Sequence, residues 1–303
     1  MPGLSVLLPI YCRDVTPLVQ ALVQQAARWP GPVEILCFDD ASDEATRRLN
    51  RPVAAWPGVI YRELPRNVGR SAIRNQLAAA ARHPWLLLLD NNISLPQADF
   101  LARYAACLGT APVVVGGTVY AKTAPAAPEQ RLRWQHGRLR EARPARVRQQ
   151  QPYESFILKN VLLESAVFRR FGLDEALMHY GHEDSKLGWQ LQQAGIAVHH
   201  VDNPVLHDGL ECAAHFLEKA QQAARNLVYL YQTEGWGTGT RLLQTALWLW
   251  RLGLAGLYQA GFGLIYQRVQ QALLSGTPDL RQLDALKLYW ALQELQRLRI
   301  GKK

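Results

Sequence analysis

The chain has 303 residues, 49% of them hydrophobic and 19% charged, which excludes a disordered protein and leaves room for one large domain or two modest ones. A net charge of +9 points to anionic partners: nucleotide phosphates, nucleic acid or an acidic membrane surface. The four cysteines, Cys12, Cys37, Cys107 and Cys212, lie far apart without metal-like or framework spacing and read as reduced core thiols. The amino terminus lacks the cationic stretch of a signal peptide, so a cytoplasmic protein is expected, one able to visit a membrane.

In chain order, residues 4–10 read as a buried strand and 11–14 as the loop leaving it. Thr16 followed by Pro17 predicts an N-cap and a proline at the first helical position, with Leu18, Val19, Leu22, Val23 and Ala26 at helical spacing. A second strand over 33–38 ends on Asp39 and Asp40. Ser42 is the expected cap of the next helix, with Asp43 and Glu44 at the positive end of its dipole. A third strand over 59–63 precedes Asn67-Val68-Gly69-Arg70 and an alanine-rich helix reaching about residue 82. Residues 85–89, Trp-Leu-Leu-Leu-Leu, show no alternation, which suits a strand covered on both faces in a parallel sheet. A fifth strand is expected over 113–120. This rhythm implies an α/β, doubly wound, mostly parallel sheet.

The run at 85–89 stops on Asp90, and a carboxylate at the carboxyl end of a central parallel strand points into the crevice where such sheets bind ligands. Oxygen ligands there suit Mg2+ or Mn2+, which in turn suits a diphosphate. Taken alone, Asp90-Asn91-Asn92 reads as readily as a polar turn, since Asp and Asn favour turns anyway. Residues 123–152 interrupt the rhythm with four prolines and, from Arg131 to Arg148, seven arginines against Glu129 and Glu141. Two readings stand side by side for this basic loop: a solvated segment, or a contact for the phosphates of an acceptor. A helix is expected to begin near Glu183, with Leu187, Leu191 and Ala194 on one face and Gly195 ending it, followed by a strand over 196–201. His179 and His182 are three residues apart, with no further ligands in a zinc pattern.

From about residue 212 the composition turns helical, as a C-terminal extension. Residues 241–274 are apolar but interrupted by Arg251, and their longest charge-free run is shorter than the roughly 18 residues of a membrane span. With Trp248, Trp250, Tyr258 and Tyr266, the expectation is an in-plane interfacial helix or hairpin; a buried helix pair or a dimer contact is the alternative. The domain division expected is 1–211 and 212–303.

Taken in order, these clusters resemble the inverting glycosyltransferases of family 2, with the GT-A nucleotide-sugar fold. Leu4-Ser-Val-Leu-Leu-Pro-Ile-Tyr11 is similar to that family's opening strand, and Glu34-Ile-Leu-Cys-Phe-Asp-Asp-Ala-Ser42 to its second. Asn67-Val-Gly-Arg-Ser-Ala-Ile-Arg-Asn75 resembles its Asn-x-Gly…Ala-x-Arg-Asn segment, and Asp90-Asn91-Asn92 stands where the family carries Asp-x-Asp. Gly172-Leu-Asp-Glu175 and Gly181-His-Glu-Asp184 resemble its acceptor-side motifs. The resemblance covers roughly residues 4–209.

It implies that Pro9, Tyr11 and one or both of Asp39 and Asp40 hold the nucleoside, with Asn67, Gly69, Arg74 and Asn75 completing the nucleotide site. It implies that Asp90 and Asn92, with His207, hold a divalent Mg2+ or Mn2+ on the diphosphate. Asp184 is then the general base that deprotonates the acceptor hydroxyl, and Glu183 positions sugar hydroxyls. The partners implied are a nucleoside-diphosphate sugar, UDP type favoured, and a glycan or lipid-linked acceptor at the inner face of a membrane. Asn92 departs from the family by bringing an amide without charge. A nucleotidyltransferase and a non-catalytic nucleotide- or glycan-binding scaffold remain the rival readings; a nucleic-acid partner is not expected, because no docking motif is visible.

Overall fold

The computed structural model describes residues 2–175 and 181–300, so His179 lies outside the described residues. The chain divides into two compact units: Met1–Ala121, Arg140–Met178 and Glu183–Gly209 form the first, and Lys122–Leu139, His179–His182 and Leu210–Lys303 the second. About half of the basic segment belongs to the second unit.

Strands β1 (Leu4–Ile10), β2 (Val33–Asp39), β3 (Val59–Glu63) and β4 (Trp85–Leu89) alternate with helices α1 (Thr16–Ala26), α2 (Glu44–Asn50) and α3 (Arg70–Ala80). They are followed by β5 (Ile93–Ser94), α4 (Phe100–Ala105), β6 (Val113–Val115), β7 (Thr118–Val119), α5 (Arg131–His136) and α6 (Ala145–Arg148). Next come β8 (Asn160–Glu164), α7 (Ser165–Phe171), α8 (Glu183–Gln193), β9 (Val198–His200) and β10 (Val205–His207). Four helices complete the chain: α9 (Ala213–Glu234), α10 (Arg241–Arg251), α11 (Ala255–Leu274) and α12 (Leu280–Ile300).

The main sheet has seven strands in the order β3-β2-β1-β4-β8-β6-β9, parallel except for β8, which runs antiparallel to both β4 and β6. The unbroken apolar runs of β1 and β4 follow from burial on both faces. Leu4, Val6, Leu8, Trp85, Leu87 and Leu89 face one core, under α1 and α4. Leu7, Leu86 and Leu88 face the other, with Ile73, Leu77, Phe168, Leu187 and Leu191. Strand order reverses between β1 and β4, which makes the carboxyl ends of these two strands the crevice of the sheet.

Several local expectations are corrected. Val15, not Thr16, precedes α1, and it is the Asp14 carboxylate that accepts from the Thr16 backbone amide and hydroxyl. Asp43 caps α2 by accepting from Thr46 N at 2.8 Å, while Ser42 Oγ accepts from Cys12 N at 2.8 Å and ties the loop after β1 to that after β2. All four cysteines are free, but only Cys37 is buried; Cys12 and Cys212 are exposed. The strand expected over 113–120 breaks at Gly116 and Gly117, where the chain leaves the large sheet for a small one of order β5-β10-β7. A Cβ on Gly116 would stand 2.5 Å from Asn160, Asn203 and Tyr104 atoms, and Gly117 takes φ +87, so this crossing needs both glycines.

The segment 123–152 is helical rather than a loop, and its arginines divide. Arg148 is buried and donates to the carbonyls of Arg143, Val115, Gly116 and Val201, with Nη1 2.6 Å from His200 Nδ1. It ties α6 to the sheet edge, its guanidinium taken up by backbone carbonyls. In the second unit, Leu132, Phe216, Leu217, Phe262, Val269, Leu273, Leu283 and Trp290 form one core that joins α5, α9, α11 and α12. No helix among the described residues is long and apolar enough to cross a membrane.

Candidate active site

Asp39 ends β2 and is wholly buried; Oδ1 accepts from Ser42 N at 2.7 Å, and Oδ2 has no hydrogen-bond partner. Arg47 Nε, 3.9 Å from that carboxylate, is likewise buried and without a hydrogen bond among the described residues, and the buried Tyr61 hydroxyl lies nearby. Burial, reinforced by Asp39, pushes the Tyr61 phenol up. Among the described residues, Asp39 Oδ2 and Arg47 Nε are thus a buried acceptor and a buried donor on neighbouring side chains left open to a polar ligand. Arg47 and Tyr61 carry no motif, which is why the sequence passes over them.

Asp40 has a different task. Its two oxygens accept from Val68 N at 2.7 Å and Gly69 N at 3.1 Å, and Asn67 Nδ2 donates to its carbonyl at 3.1 Å. The aspartate thus clamps the turn that opens α3, where Gly69 takes φ +90 with ψ 166, a conformation that excludes side-chain-bearing residues. Pro9, half-buried, pairs with Phe38 in the sheet, and Tyr11, 55% exposed, leaves β1 on the crevice side with its carbonyl bonded by Asn91 Nδ2.

From the clamped turn, α3 sends Arg70 and Arg74 toward β4. Arg74 is buried, bonds Arg70 O at 3.0 Å and makes a short ion pair with Asp90. Arg70 bridges the acids: 4.0 Å to Asp90 and 3.3 Å to buried Glu183. Burial alone would raise the Asp90 carboxyl, but Arg74, Arg70 and Lys159 outweigh it and hold it down at about 2. Asn75, expected beside the nucleotide, instead exchanges two 2.9 Å hydrogen bonds with the backbone of Leu173 and donates to Glu175 Oε1 at 2.8 Å. Its amide is fully engaged in fixing the Gly172–Glu175 turn.

Asp184 stands on the first turn of α8 beside Glu183, and its Oδ2 accepts from Leu158 N at 3.2 Å. Burial and then the Glu183 carboxylate push it up to about 6, with Asp90 adding to and Arg74 and Arg70 opposing the effect. A helix start alone lowers a carboxyl; here burial and the adjacent acid prevail. The result is a carboxyl that changes protonation near neutrality.

His207 ends β10 opposite Ile93 of β5, and Gly209 N donates to Asn92 O at 3.2 Å, so the pairing brings His207 beside Asn92. Its Nδ1 is 2.9 Å from the Tyr120 hydroxyl, which donates in turn to Glu141. Asp90, Asn92 and His207 give one carboxylate, one amide oxygen that is buried with no hydrogen-bond partner, and one imidazole. The donor chemistry fits a divalent cation that takes its remaining ligands from a diphosphate. Among the described residues no three His, Cys, Asp or Glu side chains converge as a preformed metal cage would require. Arg70, Lys159, Tyr120 and Glu141 were not singled out from the sequence. Arg70 lay inside a recognised motif; Lys159 has no such signal.

A doubly wound, mostly parallel sheet with acidic residues at the ends of its central strands and a raised carboxyl at the start of α8 has the GT-A architecture. The chain belongs to glycosyl transferase family 2, whose pattern it matches over residues 5–172, and it is a glycosyltransferase that uses a nucleotide-sugar donor. No curated protein matches its sequence. Among solved structures it is similar to the mannosyltransferase PcManGT from Pyrobaculum calidifontis in complex with GDP-Man and Mn2+, at TM-score 0.58 and 14% identity over 98% of this chain and 87% of that one. It is also similar to S. aureus TarS 1-349, at TM-score 0.50 and 14% identity over 99% of this chain and 92% of that one.

Proposed function

We propose that the chain is an inverting, metal-dependent glycosyltransferase that moves a sugar from a nucleoside-diphosphate sugar, UDP type favoured, to a hydroxyl of a glycan or lipid-linked acceptor. The observation that carries this reading is Asp184. It is a carboxyl raised to about 6 next to Glu183, and Glu183 in turn is linked through Arg70 to Asp90 at the end of β4. The acceptor oxygen attacks the anomeric carbon opposite the leaving group, and its proton passes to Asp184. The bond from the anomeric carbon to phosphate oxygen breaks, and the electron pair leaves with the diphosphate. Glu183, fixed by Arg70, orients sugar hydroxyls. Asp39, with Arg47 and Tyr61 beside it, receives the base. Asp90, Asn92 and His207 would hold Mg2+ or Mn2+, which when bound offsets the charge developing on the leaving group. The mannosyltransferase similar in fold holds GDP-Man together with Mn2+.

The second unit supports a peripheral place on the inner face of a membrane. Residues 241–274 contain three arginines and no acid. Trp248, Leu252, Leu257 and Leu264 are exposed there, Leu264 at 90%. Exposed apolar side chains in a segment whose only charges are cations match an anionic bilayer surface and a lipid-linked acceptor.

The test is a thermal-shift panel of nucleoside diphosphates and nucleotide sugars, with and without Mn2+. A true donor at about a hundred times its dissociation constant adds roughly 2.7 kcal/mol, and a flat panel would refute the assignment.

A further inference from the structure

Lys159 belongs to no motif, yet the fold delivers it to the acid site. It immediately precedes β8, and its carbonyl accepts the Asp90 amide at 3.2 Å, as a continuation of the antiparallel register of β4 and β8. The side chain is only 15% exposed. Its ammonium stands 3.5 Å from His207 Nδ1 and 3.6 Å from Glu141 Oε2. Both distances exceed the roughly 2.7–2.9 Å of a charge-assisted hydrogen bond. Among the described residues, then, a part-buried ammonium with three donors makes no short bond, although it is close enough to Asp90 to help hold it ionised. Glu141, its nearest acid, is already engaged by the Tyr120 hydroxyl. Such an ammonium is completed by an anion, and the anion the site is built to admit is the donor's diphosphate.

Resting on the donor reading above, we propose that Lys159 is a direct ligand of the diphosphate. It allows this site to retain a nucleoside diphosphate without a divalent cation, the cation adding to binding rather than being its condition. The neutral Asn92 points the same way. Where the family pattern has a second carboxylate this chain has an amide, so one negative charge that would hold a cation is missing. Lys159 contributes a positive charge 3.5 Å from His207 Nδ1, and Arg70, 44% exposed in its side chain, stands 4.0 Å from Asp90. All three features shift the site from holding a cation toward holding phosphate directly.

Calorimetric titration of UDP and of GDP into the full chain, first in EDTA and then with Mn2+, tests this. The unsubstituted chain is expected to bind one of the two in EDTA. Lys159→Gln should weaken that binding about tenfold or more, and should do so less with Mn2+ present; Lys159→Arg should restore most of it. Glu141→Gln, which removes a competing carboxylate from the ammonium, should tighten binding in EDTA, and this variant carries the test if Lys159→Gln does not fold. If Lys159 merely balances Glu141, both Gln variants lower the melting temperature and leave the affinity in EDTA unmoved, and the inference is overturned. Binding by the unsubstituted chain only with Mn2+ would overturn it while leaving the donor reading intact. No binding under either condition would remove the donor reading itself.

Discussion

Asp184→Asn is the substitution that separates a catalytic base from a helix-start carboxylate. Asp184 ionises at about 6, against 3.8 for a solvated aspartate. Each pKa unit is about 1.36 kcal/mol, so ionising this part-buried carboxyl costs the folded state about 2–3 kcal/mol at neutral pH. The unfolded chain releases the proton near 3.8 and the folded chain keeps it to about 6, so between these values the folded state binds more protons and stability falls as pH rises. The cost is absent below about pH 4 and complete above about pH 6. Asparagine keeps the shape and can still accept from Leu158 N, but it never ionises. Melting temperature at pH 7.5 should therefore hold or rise by a few degrees, and the gain should vanish at pH 4. Turnover should fall by roughly a hundred- to ten-thousandfold. In the unsubstituted enzyme kcat/KM should drop about tenfold per pH unit below 6, because only the ionised carboxylate accepts the proton. Transfer assays and melting curves across pH 4–8 read both quantities. Near-normal turnover in the variant, or a rate that is flat from pH 5 to 8, would place the base elsewhere, with Glu183 next to be tested.

Asn92→Asp should tighten Mn2+ binding measured in the presence of UDP, and Asp90→Ala should abolish it; metal affinity that ignores both changes would refute the ligand assignment. Leu257→Asp combined with Leu264→Asp should release the protein from anionic vesicles in a flotation assay. Raised salt should weaken the unsubstituted protein's binding, since basic residues contribute about 1 kcal/mol each at such a surface. Equal flotation of the two proteins would dismiss the interfacial face. Arg148→Leu strands the carbonyls of Val115, Gly116 and Val201 and should lower unfolding free energy by about 3 kcal/mol or more in urea titrations, with nucleotide affinity in the surviving folded protein unchanged. A loss of affinity without a loss of stability would return that arginine to the phosphate site.

The sequence by itself determined the α/β frame. Five consecutive apolar residues at 85–89 suit a strand covered on both sides, because a helical pattern precedes the run and a polar end follows it. Hydrophobic periodicity also puts Asp39 and Asp90 at strand ends and Asp184 at a helix start, whereas Arg74, inside α3, is marked only by the resemblance to the family's motif. Tertiary structure decided what each polar side chain does, since a hydrogen-bond partner distant in the chain leaves no mark on local pattern. Asp40 and Asn75 read as nucleotide ligands but hold loops, one through the amides of Val68 and Gly69, the other through the backbone of Leu173. Arg148 reads as a solvated or phosphate-binding charge but lies buried against strand carbonyls. A helix start by itself lowers a carboxyl, and for Asp184 burial beside Glu183 reverses the sign, because desolvation and like charge act through space and depend on neighbours that only the folded chain assembles.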